Sequence, residues 1–595
     1  MAQRSFQRQA PPQGTATAPY NFVSLPQGVL VSPMDGDAAN DEERIANYRQ
    51  HIRTNGKHSG HIDIELRTLT SVFIGAGIRA ENDTENFFAP NGTPMIPGSS
   101  IRGMVKNLFK IVTCGAMRGN GEDYNDRVLY FRTMAGKNKG MRDLYIKEMS
   151  TQIFREIDGK KVTISETKAT AGYLIQQKGD TAYYICPAEF RVMPDKKGGS
   201  QHDTVVWGEP GSGEAACYTG EMHSKSSYTK HYNPDWQTRI PVRDAVVQAY
   251  REDITRKGMD ILNDKDRNGA GKTCDTKKNQ SAAEFTGDDD VVFVMPCFYK
   301  QDDKGDVRHF GFGRFYRIPY QMSIGAHVIG MGTEKVDYAD AIFGRKELWS
   351  GRLAFTDALP VEEPKMEDAA YPKVLSEPKP TSVQLYLEQK GKNGTLAHWD
   401  SPNVAIRGYK LYWHQKDKTN WHNEIQEKKN VTGARIQPVK AGTVFRGSIR
   451  FERLSADELG ALLKVLRIGG NDLCCKLGKG KSIGLGSVRI TACLFLTDMA
   501  DSYRNVFDES GGWNTAEHEE DMNAYIAEFD RVLREKLPPK TFQRYKESME
   551  ELRYMLDWKR TETPDWAKKT ALMTIDDRNK PFQNRWVLPT ARNVK

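Results

Sequence analysis

Between positions 476 and 488 the chain reads Lys476 Leu477 Gly478 Lys479 Gly480 Lys481 Ser482 Ile483 Gly484 Leu485 Gly486 Ser487 Val488. Backbone amides unshielded by side chains can wrap an anion, and the lysines add positive charge. A phosphate chain is the expected ligand, with Lys476, Gly478, Lys479, Gly480, Lys481 and Ser482 as its contacts. A flexible turn accounts for the same composition without any ligand. The phosphate loop of nucleotide hydrolases does not fit. Its pattern requires a glycine where Cys475 stands, and a strand-to-helix context that is reversed here, so no nucleotide cofactor is expected.

Two further groups of residues suit a polyanion. Ser99 or Ser100 can cap a helix whose apolar positions are Ile101, Met104, Val105, Leu108, Phe109 and Val112. On its other face Arg102, Lys106 and Lys110 form a basic stripe beside a helix start that attracts anions. A solvated charged face would look the same. Farther on, Lys225, Lys230, Arg239 and Arg243 alternate with Tyr228, His231, Tyr232 and Trp236. Aromatics stack on bases while cations track phosphates, which makes Tyr228, Lys230 and Tyr232 candidate RNA contacts. Packing among those aromatics is the competing reading, and Pro234 rules out one continuous helix.

Other chemistries are poorly supported. The eight cysteines, at 114, 186, 217, 274, 297, 474, 475 and 493, form no Cys-x-x-Cys pair, so neither zinc nor disulfides are expected. Asp264, Asp266, Asn268, Gly269 and Asp275 imitate a calcium loop, but Gly271 replaces its apolar residue. The same stretch imitates a phosphate loop with Asp266 in place of the first glycine. A net charge of +8 over 595 residues is consistent with a polyanion partner. No run of 18 apolar residues and no apolar signal core occur, so the chain is expected to be cytoplasmic, with no membrane partner.

The elements that must position these groups read as α+β. Residues 1–60 form an N-terminal arm rich in Gln, Pro and Asn, with a short helix over 41–52, of the kind that lies on a neighbour. Ile62, Ile64 and Leu66 alternate with Asp63, Glu65 and Arg67, the period of a half-buried strand. An acidic loop, Glu81 Asn82 Asp83 Thr84 Glu85, separates that strand from the helix after Pro97. Residues 61–117 thus begin a core that 118–335 interrupts, polar and broken, with brief strands at 182–186 and 291–299. The core resumes at 336–369 with a strand near Leu353 and Phe355. Residues 370–440 suggest an extended hairpin, with strand-like pieces at 382–387 and 408–413. The core is completed over 441–497 by a strand at 443–451, a helix with a Ser455 and Glu458 capping box, the glycine loop and a last strand. Residues 498–595 read as a helical extension, as in 522–537 and 540–558.

Strand, helix, strand, strand, helix, strand is the βαββαβ order of a ferredoxin-like (RRM-like) unit. Here the sequence resembles a family. Ile96 Pro97 Gly98 Ser99 Ser100 Ile101 Arg102 Gly103, Ile342 Phe343 Gly344, Gly351 Arg352 Leu353 through Asp357 Ala358, and the 478–486 loop occur in the order seen in CRISPR-associated RAMP proteins. They resemble backbone subunits of type III effector complexes. The Pro19 to Val23 arm, the His58 Ser59 Gly60 lead and the terminal Val587 Leu588 Pro589 Thr590 are similar to a large-insertion branch. The resemblance implies a subunit that holds guide RNA (crRNA) with a thumb hairpin within 370–440, beside complementary target RNA and other effector subunits. It also implies a catalytic aspartate in the loop before the Ile-Pro-Gly-Ser-Ser helix. Alignment back from Pro94 Met95 Ile96 Pro97 with one deletion places Asp83 there, although Thr84 stands where the family has asparagine. Asp83 would then hold Mg2+ or Mn2+ for endoribonuclease cleavage of target RNA. Two alternatives stay open: a purely structural RNA-binding subunit, and a metal-independent guide-processing nuclease using His58 or His61.

Overall fold

The structure is a computed structural model. It describes residues 14–594 except 80–82, 118–126, 134–140, 158–159, 195–203, 219–226, 254–255, 257–258, 263–280, 376–378, 390–394, 417–420, 424–432, 469–471, 575–577 and 583. The calcium-like stretch, Glu81 and Lys225 therefore lie outside the described residues.

Six elements build the central unit: β1 (His58–Thr68), α1 (Gly98–Val112), β2 (Leu353–Phe355), β3 (Val444–Leu454), α2 (Ala456–Leu466) and β4 (Ser487–Thr497). The strands lie side by side as β2, β3, β1 and β4, each pair antiparallel, which is the strand order of a ferredoxin-like unit. Alternation in β1 puts Ile62, Ile64 and Leu66 inside while Asp63 and Arg67 stay exposed. Against that inner face pack Ile101, Val105, Leu108 and Val112 of α1 and Leu459, Leu462, Leu463 and Leu466 of α2, all in one buried cluster.

The start of α1 corrects the expected serine cap. The helix begins at Gly98, with Pro97 in the cap position and no side-chain cap bond of its own. The backbone amide of Gly98 instead donates to Asp357 Oδ1 at 2.8 Å. The anion at this helix start is thus a carboxylate of the chain itself, brought by the segment after β2. Gly98 is required for a steric reason, because a Cβ there would stand 2.2 Å from the carbonyl oxygen of Phe355.

The 118–335 stretch is more ordered than its composition suggests. It holds an antiparallel sheet in the order Thr204–Trp207, Ala215–Tyr218, Ser227–Tyr232, Tyr183–Pro194, Thr170–Gln177, Val291–Gln301 and Val307–Gly311, with Ile240–Val242 also paired to Tyr183–Pro194. Tyr173, Ile185, Tyr250, Phe285, Met295 and Phe310 belong to a buried core confined to this region. The two strands foreseen as brief run 12 and 11 residues.

Residues 370–440 form no extended hairpin among the described residues. Val383–Tyr386 is a helical turn rather than a strand. Tyr409–Tyr412 pairs with Tyr20–Val23 of the N-terminal arm, and Arg435–Ile436 pairs in parallel with Thr84–Phe87. The arm consequently docks on its own chain, with Tyr20, Phe22 and Val23 buried. Its short helix spans Asp41–Arg53. At the other end Met522–Lys536 and Pro539–Leu556 are helices, as their periodicity predicts. No helix among the described residues is long and apolar enough to cross a membrane.

Candidate functional site

The acidic turn and the glycine loop, far apart in sequence, are bound together at one edge of the sheet. The segment leaving β1 runs along the loop: the amide of Gly486 donates to Ser71 O at 2.9 Å and that of Lys479 to Phe73 O at 2.8 Å. Lys479 Nζ then pairs with the Glu85 carboxylate. The glycines serve this approach. Gly478 and Gly486 have φ of +80° and +83°, and a Cβ at Gly486 would meet Leu477 O at 2.0 Å. Their first role is a tight left-handed path beside a neighbouring backbone.

Asp83 itself sits in a left-handed conformation, φ 60°, immediately before the strand Thr84–Phe87. Its carbonyl accepts from the Arg435 amide at 3.0 Å, which fixes the turn, and its carboxylate Oδ2 accepts from Tyr371 Oη at 3.5 Å. Tyr371 and Arg435 are residues the sequence did not point to, since nothing local ties positions 371 and 435 to position 83. Among the described residues no three His, Cys, Asp or Glu side chains converge on a point that could hold a metal ion. The fit to Mg2+ or Mn2+ therefore rests on Asp83 alone, a sparse donor set suited to an ion that keeps most of its waters.

The loop lysines differ in availability. Lys476 donates to the carbonyls of Gly484 at 3.3 Å and Leu485 at 2.9 Å. Burial of its ammonium, with the Lys481 charge adding to it, pushes its pKa down to about 7. A phosphate at Lys476 would have to compete with those two carbonyls. Lys479 is shared with Glu85, while Lys481 is half-buried, its pKa lowered by burial. Gly480 begins and Ser482 lies within a short 3-10 turn, Lys481–Ile483.

The basic stripe of α1 is also turned inward. Arg102 donates to Phe343 O at 2.8 Å and its guanidinium lies 5.5 Å from the Phe343 ring centroid, with Lys106 Nζ at 5.7 Å from the same ring. Burial, then the neighbouring Lys110 and Arg102 charges, lower the pKa of Lys106. Lys110 Nζ reaches Ala116 O at 3.5 Å, and Ser99 is exposed while Ser100 is half-buried. This stripe therefore holds the Ile342 Phe343 Gly344 segment against α1. A fully solvated charged face is not what the structure shows.

Tyr228, Lys230 and Tyr232 lie far from that edge in the chain, on the strand Ser227–Tyr232. His58 is half-buried edge-on to Tyr525, and burial lowers its pKa. His61 stacks on Phe495 with centroids 4.9 Å apart and lies 3.3 Å from Glu517.

Comparison with known proteins bears on this arrangement. No curated protein matches the sequence. Among solved structures, a chain in the cryo-EM structure of the type III-B Cmr-beta bound to cognate target RNA is similar at 10% identity, covering 73% of this chain and 98% of that one, with a TM-score of 0.17. The family model of the RAMP superfamily matches residues 65–213 and 223–489, a span containing the acidic turn, both helices of the central unit and the glycine loop. The chain belongs to the RAMP superfamily.

Proposed function

We propose that this chain is an RNA-holding subunit of a type III CRISPR effector, binding guide crRNA and complementary target RNA beside other effector subunits, and that Asp83 marks an endoribonuclease site for the target. The supporting observation is the joining of the acidic turn to the glycine loop through Lys479, Glu85 and the Phe73 carbonyl, inside the part of the chain that carries the superfamily match. Lys481 and Lys479 would meet RNA phosphates at this edge, with Lys479 exchanging Glu85 for phosphate. Asp83 would hold Mg2+ or Mn2+ together with waters and an RNA phosphate oxygen. An ion of this kind would supply charge stabilisation at the scissile phosphate as the RNA 2′-oxygen bonds to phosphorus and the 5′-oxygen leaves. The chain's own part is to fix the Asp83 turn through the Arg435 amide on its backbone carbonyl and to orient its carboxylate through Tyr371.

The test compares wild type and Asp83→Ala in assembled complexes with magnesium. Loss of a metal-holding carboxylate should lower target cleavage by about 100-fold or more, with guide binding retained. Equal cleavage by both would remove Asp83 from the reaction. It would favour a purely structural subunit, for which the hydrogen bond from Tyr371 and the neutralisation of Glu85 by Lys479 already speak.

A further inference from the structure

The strand Ser227–Tyr232 turns Thr229 and His231 into the interior and leaves Tyr228, Lys230 and Tyr232 half-exposed on its other side. That side continues across its neighbours. Arg191 stands directly opposite Lys230 on one flank and Ala216 on the other. Tyr228 stacks on Tyr218 with centroids 4.7 Å apart and planes 21° from parallel. The Arg191 guanidinium lies 5.1 Å from the Tyr232 centroid and donates from Nε to Tyr232 Oη at 3.0 Å. Two aromatic stations, each already organised by a flat neighbour, thus stand about 13 Å apart along one strand, at ~3.3 Å per residue. A lysine lies between them.

We infer that this face of the insertion sheet is a platform for single-stranded RNA, with bases stacking at the Tyr218–Tyr228 and Arg191–Tyr232 stations and Lys230 meeting the backbone phosphate between them. The inference rests on the RNA-holding role proposed above but uses a surface separate from the Asp83 edge. Three tyrosines interleaved with Arg191 and Lys230 give π surface beside positive charge, the combination that takes bases and phosphates together; Met193 opposite Tyr228 and Val206 opposite Ala216 are apolar members of the same face. Base faces are available in unpaired RNA and hidden in a duplex, so the occupant is single-stranded. The Lys230 pair with Glu214, at 2.8 Å, is open to solvent on both sides and is weak enough to be exchanged for a phosphate. By contrast, the stripe on α1 and Lys476 of the glycine loop already have their charge engaged within the fold.

The experiment measures fluorescence anisotropy of the full-length protein with a labelled 15-nucleotide oligouridine and with a blunt RNA duplex of equal length. Tyr228→Ala/Tyr232→Ala should weaken oligouridine binding by ~10-fold or more per lost station, whereas Tyr228→Phe/Tyr232→Phe, which keeps both rings, should stay within about threefold of wild type. Lys230→Ala should reduce the salt slope by about 0.7. Unchanged oligouridine affinity in the double alanine variant, with its thermal melt matching wild type, overturns the platform while leaving the RNA-holding role standing. An equal loss in the phenylalanine variant, or tighter binding of the duplex than of oligouridine, overturns it as well. Absence of any RNA binding by wild type overturns both readings together.

Discussion

The ammonium of Lys476 donates to two carbonyls of its own loop and has its pKa pushed down to about 7 by burial and by Lys481. The sign of its effect on stability follows. Between pH 7 and its ordinary value of 10.5 the unfolded chain holds a proton that the folded chain has released, so stability rises with pH across that window. Below about pH 7 both states are protonated and the unfavourable burial of charge is felt in full. Wild type should therefore gain in urea midpoint on Lys476→Met between pH 7 and pH 9. Parallel pH dependence in the two proteins would show that the amine is solvated. At this scale the sequence was a partial guide. The glycine loop reads as an anion cradle because glycine and lysine are local facts, but the carbonyls that engage Lys476 and the Glu85 that engages Lys479 depend on how the loop turns and what lies beside it.

The joint between the arm's short helix, the segment before β2 and α2 is a buried ion-pair network. Arg352 Nη1 donates to Glu458 Oε2 at 2.9 Å, and the same guanidinium also serves the carbonyls of Ala341 and Arg453. His51 Nε2 lies 3.1 Å from Glu458 Oε1, and the amide of Ser455 donates to Glu458 Oε2 at 2.9 Å. Burial alone would raise the Glu458 carboxyl, yet the His51 hydrogen bond and the Arg352 charge outweigh it and hold the group well below the usual carboxylate range. Its contribution is present above about pH 4.5 and is lost as pH falls toward the depressed value. Removing it strands a buried guanidinium, so Glu458→Ala should cost ~3–5 kcal/mol by urea denaturation, more than a lost helix cap of about 1 kcal/mol. A cost at the level of the cap alone would mean that Arg352 finds water in the variant.

Elements whose faces are decided by local alternation were legible: β1 from Ile62, Ile64 and Leu66, and α2 from its four leucines and the Ser455 to Glu458 pair. Elements decided by distant partners were not. Val383, Leu385 and Leu387 alternate like a strand, but Val383–Tyr386 closes into a helical turn and β pairing begins only after it, with the antiparallel bridge of Leu387 to Ile406. Tyr409–Tyr412 was legible as a strand and illegible as a pair, because its partner is the arm nearly four hundred residues earlier. Likewise Asp357 lies in the Gly351 to Ala358 motif, yet its bond to Gly98 depends on the return of the chain after the insertion.

On the scale of the whole molecule, the arm is a clasp. Tyr20 lies under the Lys410 ammonium at 3.8 Å from its ring centroid, Asn21 Nδ2 donates to Pro589 O at 3.2 Å, and the Ser24 amide donates to Glu551 Oε2 at 2.7 Å. Tyr20, Phe22 and Val23 are buried, and at ~1.5–3 kcal/mol for each such side chain their joint removal rivals the total stability of about 5–15 kcal/mol expected of a folded protein. Deleting residues 1–24 should therefore open the 403–416 region to trypsin at Lys410 and Lys416 at protease levels that leave the full chain intact. An unchanged digestion pattern would show that the C-terminal helices hold that region without the arm.

The central sheet has a consequence for how the chain is made. β1 is paired on one side with β3 and on the other with β4, and β4 ends at Thr497. At about 5–20 residues per second, a ribosome needs roughly 20–90 s after releasing β1 before β4 exists. Until β3 is made Ile62, Ile64 and Leu66 have neither sheet neighbour, and until β4 is made they lack one, while the intervening insertion, with a core of its own, can fold first. The nascent chain thus carries a finished middle between two unfinished ends, and its β1 is the segment most in need of a chaperone until the last strand emerges.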